Sequence, residues 1–520
     1  MAQPTLPAPL AEEAIPEVPG SGHRALRFGR ASGLLSWLAP ALVMLVVGFY
    51  GSAGPQLWGD ELASWRAADR STSQLWHMLH NIDAVYGVYY LLLHFWINVF
   101  GDSATSLRAP SAIAMAGAAA FIALTGRKLF SARAGLLAGL VFVTIPMVSR
   151  FAQEARPYAI VMCAVAAATF LLFRALERPS LLRWICYGLS VTVVGLFQLV
   201  ALSVLVPHFC LVALQYWPGR GRPWRRLAEF TGTAVLAVVP ALPLALEGQT
   251  QVTKQISWIS RPTLDSLPAL WDGLFGTALV SLPLLILAAM PLGWNRNRRP
   301  VFQLLLIGSL PVVLIYLVST EGNVSYFLTR YMLFILSAWA VLAGAGLAAV
   351  RPKLVAVLAF AVLVPFCWKN QQSIRTAYDR VPYDERAAAQ MIAKGYQPGD
   401  GLVIPHDPTI WDAGVEVYLP QRVVDGARDV FLHKTAAQLN GLAAEECPQP
   451  AACVGDEKRL WVVTQGPDQP AGTQRDPLAA LVTNTAGGLT PAEVTALSAK
   501  YTATSVTHLK GIWVTLLEHR

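Results

Sequence analysis

Twelve apolar runs follow one another through the first 370 residues, near 33–52, 86–100, 106–126, 134–150, 157–174, 184–200, 203–217, 227–246, 270–293, 301–318, 331–349 and 353–368. Most approach the roughly 20 residues that carry a helix across a bilayer. In hydrocarbon every backbone N–H and C=O must be satisfied inside the protein, so such a chain is confined to a bundle of helices. The composition agrees, at 54% apolar and 14% charged, against about 25% charged in an ordinary soluble domain. The expected fold is mostly α and polytopic. The net charge of +8 then reports which loops stay inside, not a nucleic-acid footprint, and no nucleic acid is expected as a partner.

Basic residues orient the runs. The clusters are Arg24/Arg27/Arg30, Arg127/Lys128/Arg133, Arg174/Arg178/Arg183, Arg220/Arg222/Arg225/Arg226, Arg296/Arg298/Arg299 and Arg351/Lys353. All six face the cytoplasm only if one run before Arg127 fails to cross. The run at 86–100 is short, is interrupted by His94 and Asn98, and carries Tyr89, Tyr90, Phe95 and Trp96. It reads as a helix lying along the outer surface. Eleven crossings remain, with the N-terminus cytoplasmic and the C-terminal part outside. That layout places loop 53–105, the turn at 150–157, loop 247–269, loop 319–330 and everything after 368 on one outer face.

Residues 1–32 are Pro/Ala/Glu-rich and then basic, as in a disordered cytoplasmic tail. The first apolar run starts too late and is too long for a cleaved signal peptide. Residues 33–370 read as the transmembrane domain, with juxtamembrane helices in loop 53–105. Residues 378–520 read as a small soluble α/β domain. Its expected strands are 400–406, 459–466 and 511–519, and its expected helix is 382–396. Of six cysteines, Cys163, Cys186, Cys210 and Cys367 lie in apolar segments, and Cys447 and Cys453 lie in the polar C-terminal part, where an oxidising compartment would allow them to pair.

The outer face gathers charges where a carboxylate is expensive unless a site needs it. Asp60 and Glu61 follow the first run, Asp83 precedes the surface helix, and Glu154, Arg156 and Tyr158 follow the fourth run. Arg108, Lys254, Arg261, Arg330 and Tyr331 lie on the same side. A carboxylate there suits general-base work on an acceptor hydroxyl. Arginine forks suit a phosphate that leaves. A site at the bilayer edge lets an isoprenoid tail stay in lipid while its sugar head reaches water. Asp60, Glu61 and Glu154 are the catalytic candidates. Asp83, Arg108, Arg156, Tyr158, Lys254, Arg261, Arg330 and Tyr331 are the substrate-binding candidates. No metal cluster is read from the spacing, and a divalent metal stays open as a cofactor.

At these residues the chain resembles the C-type membrane glycosyltransferases, specifically the dolichyl-phosphate-mannose protein mannosyltransferase-like family 39. The carriers are the acidic pair Asp60-Glu61, Asp83 ahead of an aromatic helix, Arg108-Ala109-Pro110, "QEARPYAI" at 153–160 and "TRYMLFILSAW" at 329–339. The chain departs at the family's His-Pro-Pro-Leu element, where Tyr86-Gly87-Val88 stands instead. The resemblance spans about 33–370. It implies the C-type helix bundle, a polyprenyl-phosphate sugar donor, inversion at the anomeric centre and a site on the periplasmic side of a bacterial inner membrane. Membrane lipids and an acceptor of unknown kind are the other partners. A flippase or transporter of the lipid-linked sugar is the alternative, but its charges belong near mid-bilayer and its fold in repeats. A phosphoethanolamine-type transferase would need a metal-bound nucleophilic hydroxyl, and the outer domain shows no dense His/Asp cluster.

Overall fold

A computed structural model describes residues 22–216, 223–294, 298–466, 481 and 487–520. The expected disordered tail falls largely at residues 1–21, and Arg220, Arg222 and Arg296 of the basic clusters also lie outside the described residues.

The helices run α1 (Gly22–Phe49), α2 (Gly59–Ala68), α3 (Thr72–Leu79), α4 (Gly87–Phe100), α5 (Ala104–Leu129), α6 (Ala132–Thr144), α7 (Pro146–Ala152), α8 (Tyr158–Glu177) and α9 (Leu181–Phe197). They continue with α10 (Leu205–Tyr216), α11 (Pro223–Val238), α12 (Leu242–Ile256), α13 (Ser266–Phe275), α14 (Ala278–Trp294), α15 (Arg299–Glu321), α16 (Leu336–Ala349) and α17 (Lys353–Ser373). Serines open several of them. Ser71, Ser103, Ser131 and Ser180 each accept a backbone N–H from the first turn that would otherwise lack a partner.

Among the described residues seven helices are long and apolar enough to cross a membrane, or up to nine if each of two bent pairs is one span. The apolar parts of α1 (Gly33–Phe49) and α9 are shorter. Each run expected to cross therefore lies on a helix or a bent pair, but two of them are not straight. The run 134–150 breaks by 72° between α6 and α7, and the run 270–293 breaks by 92° between α13 and α14. Pro146 causes the first break, by holding Ile145 extended at ψ 118°. Gly276, at φ +105°, supplies the second. The run at 86–100 forms α4, which packs on α2 with Tyr89, Tyr90 and Leu93 buried and Phe95, Val99 and Phe100 exposed.

Small residues let the helix backbones approach closely. A Cβ on Gly344 of α16 would lie 2.3 Å from the backbone nitrogen of Ala138 in α6. One on Gly346 would lie 1.9 Å from the carbonyl oxygen of Leu287 in α14. The outward faces of α1 and α17 carry exposed Leu38, Leu42, Val46, Leu354, Val357 and Val362, as a lipid-facing surface requires.

The C-terminal part is a mixed sheet with helices. Strands β1 (Gly401–Val403), β2 (Arg428–Asp429), β3 (Leu432–Lys434), β4 (Glu445–Glu446), β5 (Arg459–Gln465), β6 (Tyr501–Leu509) and β7 (Ile512–His519) are joined by α18 (Glu385–Gly395), α19 (Trp411–Glu416), α20 (Gln421–Val424), α21 (Pro450–Cys453) and α22 (Pro491–Lys500). The main sheet has the order β2-β1-β5-β7-β6, parallel across β2-β1-β5 and antiparallel across β5-β7-β6. Along β5 the side chains alternate between two cores. Leu460 and Val462 join Leu497 and Tyr501 on one face, and Trp461 and Val463 join Ile392 and Trp411 on the other. Cys447 and Cys453 form a disulfide. This part rests on α2 and the segment before it: Arg66 pairs with Asp412 (2.8 Å) and Glu416 (2.6 Å), and the side chain of Gln56 bonds the carbonyl of Tyr383 and the backbone N–H of Arg386.

Candidate active site

The two acidic turns meet. Asp60 and Glu61 open α2, in the first turn, where the helix dipole favours carboxylates. The turn at 153–157 lies against them, and its backbone groups are accounted for one by one. The Ser111 hydroxyl bonds the carbonyls of Glu154 (2.6 Å) and Arg156 (3.2 Å), and the N–H of Ala155 donates to Glu61 Oε1 (2.9 Å). The side chain of Gln153 reaches back to the carbonyls of Val47 and Tyr50 at the end of α1.

Glu61 is the hub of this arrangement. Arg108 grips it as a fork, Nε on Oε1 and Nη2 on Oε2, both at 2.7 Å, and Arg380 donates to Oε2 at 2.6 Å. Burial alone would raise its pKa, but the guanidinium groups of Arg108 and Arg380 prevail and hold it at about 2. The remaining N–H groups of Arg108 go to the carbonyls of Ser52, Pro55 and Gln56. All five donors of this guanidinium are therefore engaged within the protein. Arg108 has no N–H left for a phosphate, which corrects its expected role, and Glu61 has no free oxygen, which corrects its expected place among the catalytic groups. Both hold α2, α5, the turn at 153–157 and the segment after α17 together. Arg66, one turn further along α2, is engaged instead by Asp412 and Glu416.

Asp60 is different. Its Oδ2 has no hydrogen-bond partner among the described residues, yet Arg330 Nη2 stands 3.6 Å away and Arg156 Nε 3.8 Å away. Arg156 is buried, lies 4.1 Å over the ring of Tyr86, and leaves its Nε unpartnered. Arg330 sits 5.7 Å over Trp58 and 5.6 Å over Trp258, also with a free Nε. The rings of Tyr158 and Tyr331 stand 6.5 Å apart beside them. Unpartnered polar atoms this densely set point to a ligand.

Glu154 is buried with neither carboxylate oxygen hydrogen-bonded among the described residues, and Arg150 Nη2 stands 3.9 Å off. Burial raises its pKa to about 7 against the pull of Arg380 and Arg150. A carboxyl raised in this way favours the folded state below its ordinary value of 4.5, and that contribution is lost as pH climbs through 7. The difference is about 3 kcal/mol at most, at about 1.4 kcal/mol per pKa unit. Glu154→Gln is therefore expected to flatten the fall in melting temperature between pH 5 and pH 8, measured on detergent-solubilised protein. An unchanged slope would place the charge of Glu154 elsewhere.

Three other candidates lie apart from these contacts. Asp83, in a left-handed conformation at φ +61°, has both oxygens engaged, by Tyr90 (2.6 Å) and Gln255 (3.1 Å). Tyr90 in turn accepts from Arg156 (3.3 Å), so Asp83 orients the site through it instead of facing a ligand. Lys254 and Arg261 are exposed, Arg261 bonding the carbonyl of Gly322, and neither pairs with the acidic groups among the described residues. His208 is buried between Thr169 and Tyr187. Among the described residues no three His, Cys, Asp or Glu side chains group as metal ligands.

Sequence reasoning missed Arg380 and Tyr86. Arg380 lies 319 positions from its partner Glu61, and its one signal is a basic residue just past the last apolar run. Tyr86 stands where the expected His-Pro-Pro-Leu element departs.

An apolar cavity of about 380 Å³ opens beside Tyr86 and Tyr331, lined by Phe197, Val200, Val252 and Leu314 among others. Tyr86, whose ring lies under the Arg156 guanidinium, forms its wall nearest the cluster, and residues of α12 and α15 form much of the rest.

Residues 87–246 match the family model described as dolichyl-phosphate-mannose-protein mannosyltransferase. No curated protein matches the sequence. The structure of ArnT from Cupriavidus metallidurans in the apo state is similar, with a TM-score of 0.60 at 14% identity over 94% of this chain and 98% of that one. ArnT from the same organism bound to undecaprenyl phosphate gives 0.57 at 13% identity over 95% and 98%. At such identities these structures establish the fold. Residues 87–246 thus resemble the dolichyl-phosphate-mannose-protein mannosyltransferase family, and the fold of the chain is that of the ArnT structures.

Proposed function

We propose that the chain is an inverting glycosyltransferase that moves a sugar from a polyprenyl-phosphate donor to an acceptor hydroxyl at the periplasmic face of the membrane. One observation carries the reading. A carboxylate oxygen of Asp60 and the Nε atoms of Arg156 and Arg330, all without a hydrogen-bond partner among the described residues, come together near an apolar cavity.

The chemistry follows from that geometry. The prenyl chain occupies the apolar cavity, and the phosphate lies against Arg156 and Arg330. Asp60 takes the proton of the acceptor hydroxyl as its oxygen bonds the anomeric carbon. The bond from that carbon to the phosphate oxygen breaks, and the polyprenyl phosphate leaves with the electron pair. The two arginines stabilise the growing charge on the phosphate. Glu154, buried and with its pKa raised to about 7, orients the acceptor. The lipid-bound ArnT structure supports a polyprenyl phosphate as the donor lipid. The basic clusters at the opposite helix ends support the periplasmic side.

Mass spectrometry of lipids co-extracted with the purified protein tests this reading. A polyprenyl phosphate, or its glycosylated form, is expected in the wild type and strongly depleted in Arg330→Gln. Recovery of phospholipids alone, from both proteins, would overturn it.

A further inference from the structure

A second cavity, also of about 380 Å³, lies between the juxtamembrane helices and the C-terminal sheet. This is within the roughly 300–1,000 Å³ of ordinary ligand pockets. Arg70 and Asp69, just past the end of α2, form part of its wall, and Asp412 and Asp429 of the C-terminal part face it. Most charges around it are spent on one another. Arg66 is held by Asp412 and Glu416, and the His406 ring bridges Asp412 Oδ2 and Asp429 Oδ2 at 3.0 Å each. Burial would lower the His406 pKa, but the two carboxylates outweigh it and push it up to about 10, so the ring is a cation.

What remains is a specific set of free groups. Arg70 is 5% exposed and Asp412 4% exposed. Arg70 Nη1, Asp412 Oδ1 and Asp429 Oδ1 are all buried with no hydrogen-bond partner among the described residues. Arg70 spends its other terminal nitrogen on the carbonyl of Gly441. Apolar Leu402, Ile404, Leu419 and Leu432 complete the wall. A guanidinium donor beside two carboxylate acceptors suits vicinal hydroxyls, each of which donates to one and accepts from the other. The apolar wall suits the C–H face of a ring. The ionised side chains around the cavity sum to an acidic balance, with Asp69, Asp412, Glu416 and Asp429 against Arg66, Arg70 and His406. An anion is disfavoured there.

We propose that this cavity is a saccharide-binding pocket that takes an uncharged or amino-substituted sugar ring. α2 carries the chain about 12 Å from Asp60 to its last residue, Ala68, at 1.5 Å per residue, and Arg70 lies just beyond. The pocket thus holds a ring remote from the reacting hydroxyl. That this ring belongs to the acceptor rests on the transfer reading above; that the cavity binds one does not.

Saturation-transfer NMR on the full chain in lipid nanodiscs decides it, with the methyl glycosides of glucose, mannose and galactose, and glucosamine, as probes. At least one probe is expected to give a signal that falls about tenfold in Arg70→Gln and in Asp429→Asn, where one charge-assisted contact is lost. The signal is expected to survive in Asp60→Asn and to resist inorganic phosphate. Asp429 is the more exposed of the two pocket residues, and if Arg70→Gln lowers the melting temperature, Asp429→Asn alone decides. No signal from any probe, an undiminished signal in Asp429→Asn, or displacement by phosphate would each overturn the pocket. Binding without sugar transfer by the wild type would leave the pocket standing and remove the transferase reading instead.

Discussion

Asp60→Asn is expected to remove sugar transfer almost entirely while the protein inserts and folds as before. The change is isosteric and takes away only the ability to accept a proton. Positioned general bases contribute about 10²–10⁴-fold, and the loss should fall on kcat more than on KM. Stability should hardly move, because the Asp60 carboxylate accepts no hydrogen bond among the described residues and its ion pairs are long, at 3.6 and 3.8 Å. Partly exposed pairs of this kind are worth about 0–1 kcal/mol. The check is a transfer assay from a glycosylated polyprenyl phosphate in nanodiscs, alongside a thermal melt. Asp60→Glu should retain more activity than Asp60→Asn, since the carboxylate is displaced but present. Wild-type turnover in Asp60→Asn would assign the proton to another group, with Glu154, whose carboxyl oxygens have no hydrogen-bond partner among the described residues, the one to examine.

The helical bundle was legible because hydrocarbon forces each crossing to be a continuous apolar helix. The breaks inside two of the runs were not read, although the local signals are present at Ile145-Pro146 and Gly276. Hydrophobicity is continuous across both positions, so only the backbone chemistry of proline and glycine marks them. In the C-terminal part, three strands with buried apolar residues were found and β6 was not. Its segment "YTATSVTHL" is largely polar, as suits a strand at the edge of the sheet with one face in water. The turn around Glu154 and Arg156 was readable through its resemblance to a family motif. The pairings inside the site were not, because sequence gives positions along the chain and not partners across it. Asp60 and Glu61 are adjacent in sequence and indistinguishable by composition. One faces two open guanidinium groups, and the other is locked by Arg108, 47 positions away, and by Arg380.

That distinction predicts opposite behaviour for the second carboxylate. Glu61→Ala is expected to cost about 3–5 kcal/mol, the usual penalty for leaving a buried charge without its partner. Here two guanidinium groups are stranded, since Arg108 is 1% exposed and the Arg380 side chain 0%. Against a total stability of about 5–15 kcal/mol, the loss should appear as low yield in the membrane and a melting temperature depressed by many degrees. Arg108→Lys should destabilise the fold as well, because an ammonium cannot make the paired contacts of the fork together with those to the carbonyls of Ser52, Pro55 and Gln56. Glu61→Gln separates scaffold from chemistry. Its amide keeps one oxygen acceptor and the side-chain volume, so a fraction should fold, and that fraction should transfer sugar at a rate per molecule near the wild type. Thermal melts and transfer assays on size-selected, monodisperse protein measure both quantities. A Glu61→Gln protein that melts like the wild type yet transfers nothing would move Glu61 from the scaffold to the reaction, and the proton relay would then have to pass through a carboxylate that Arg108 and Arg380 keep fully ionised.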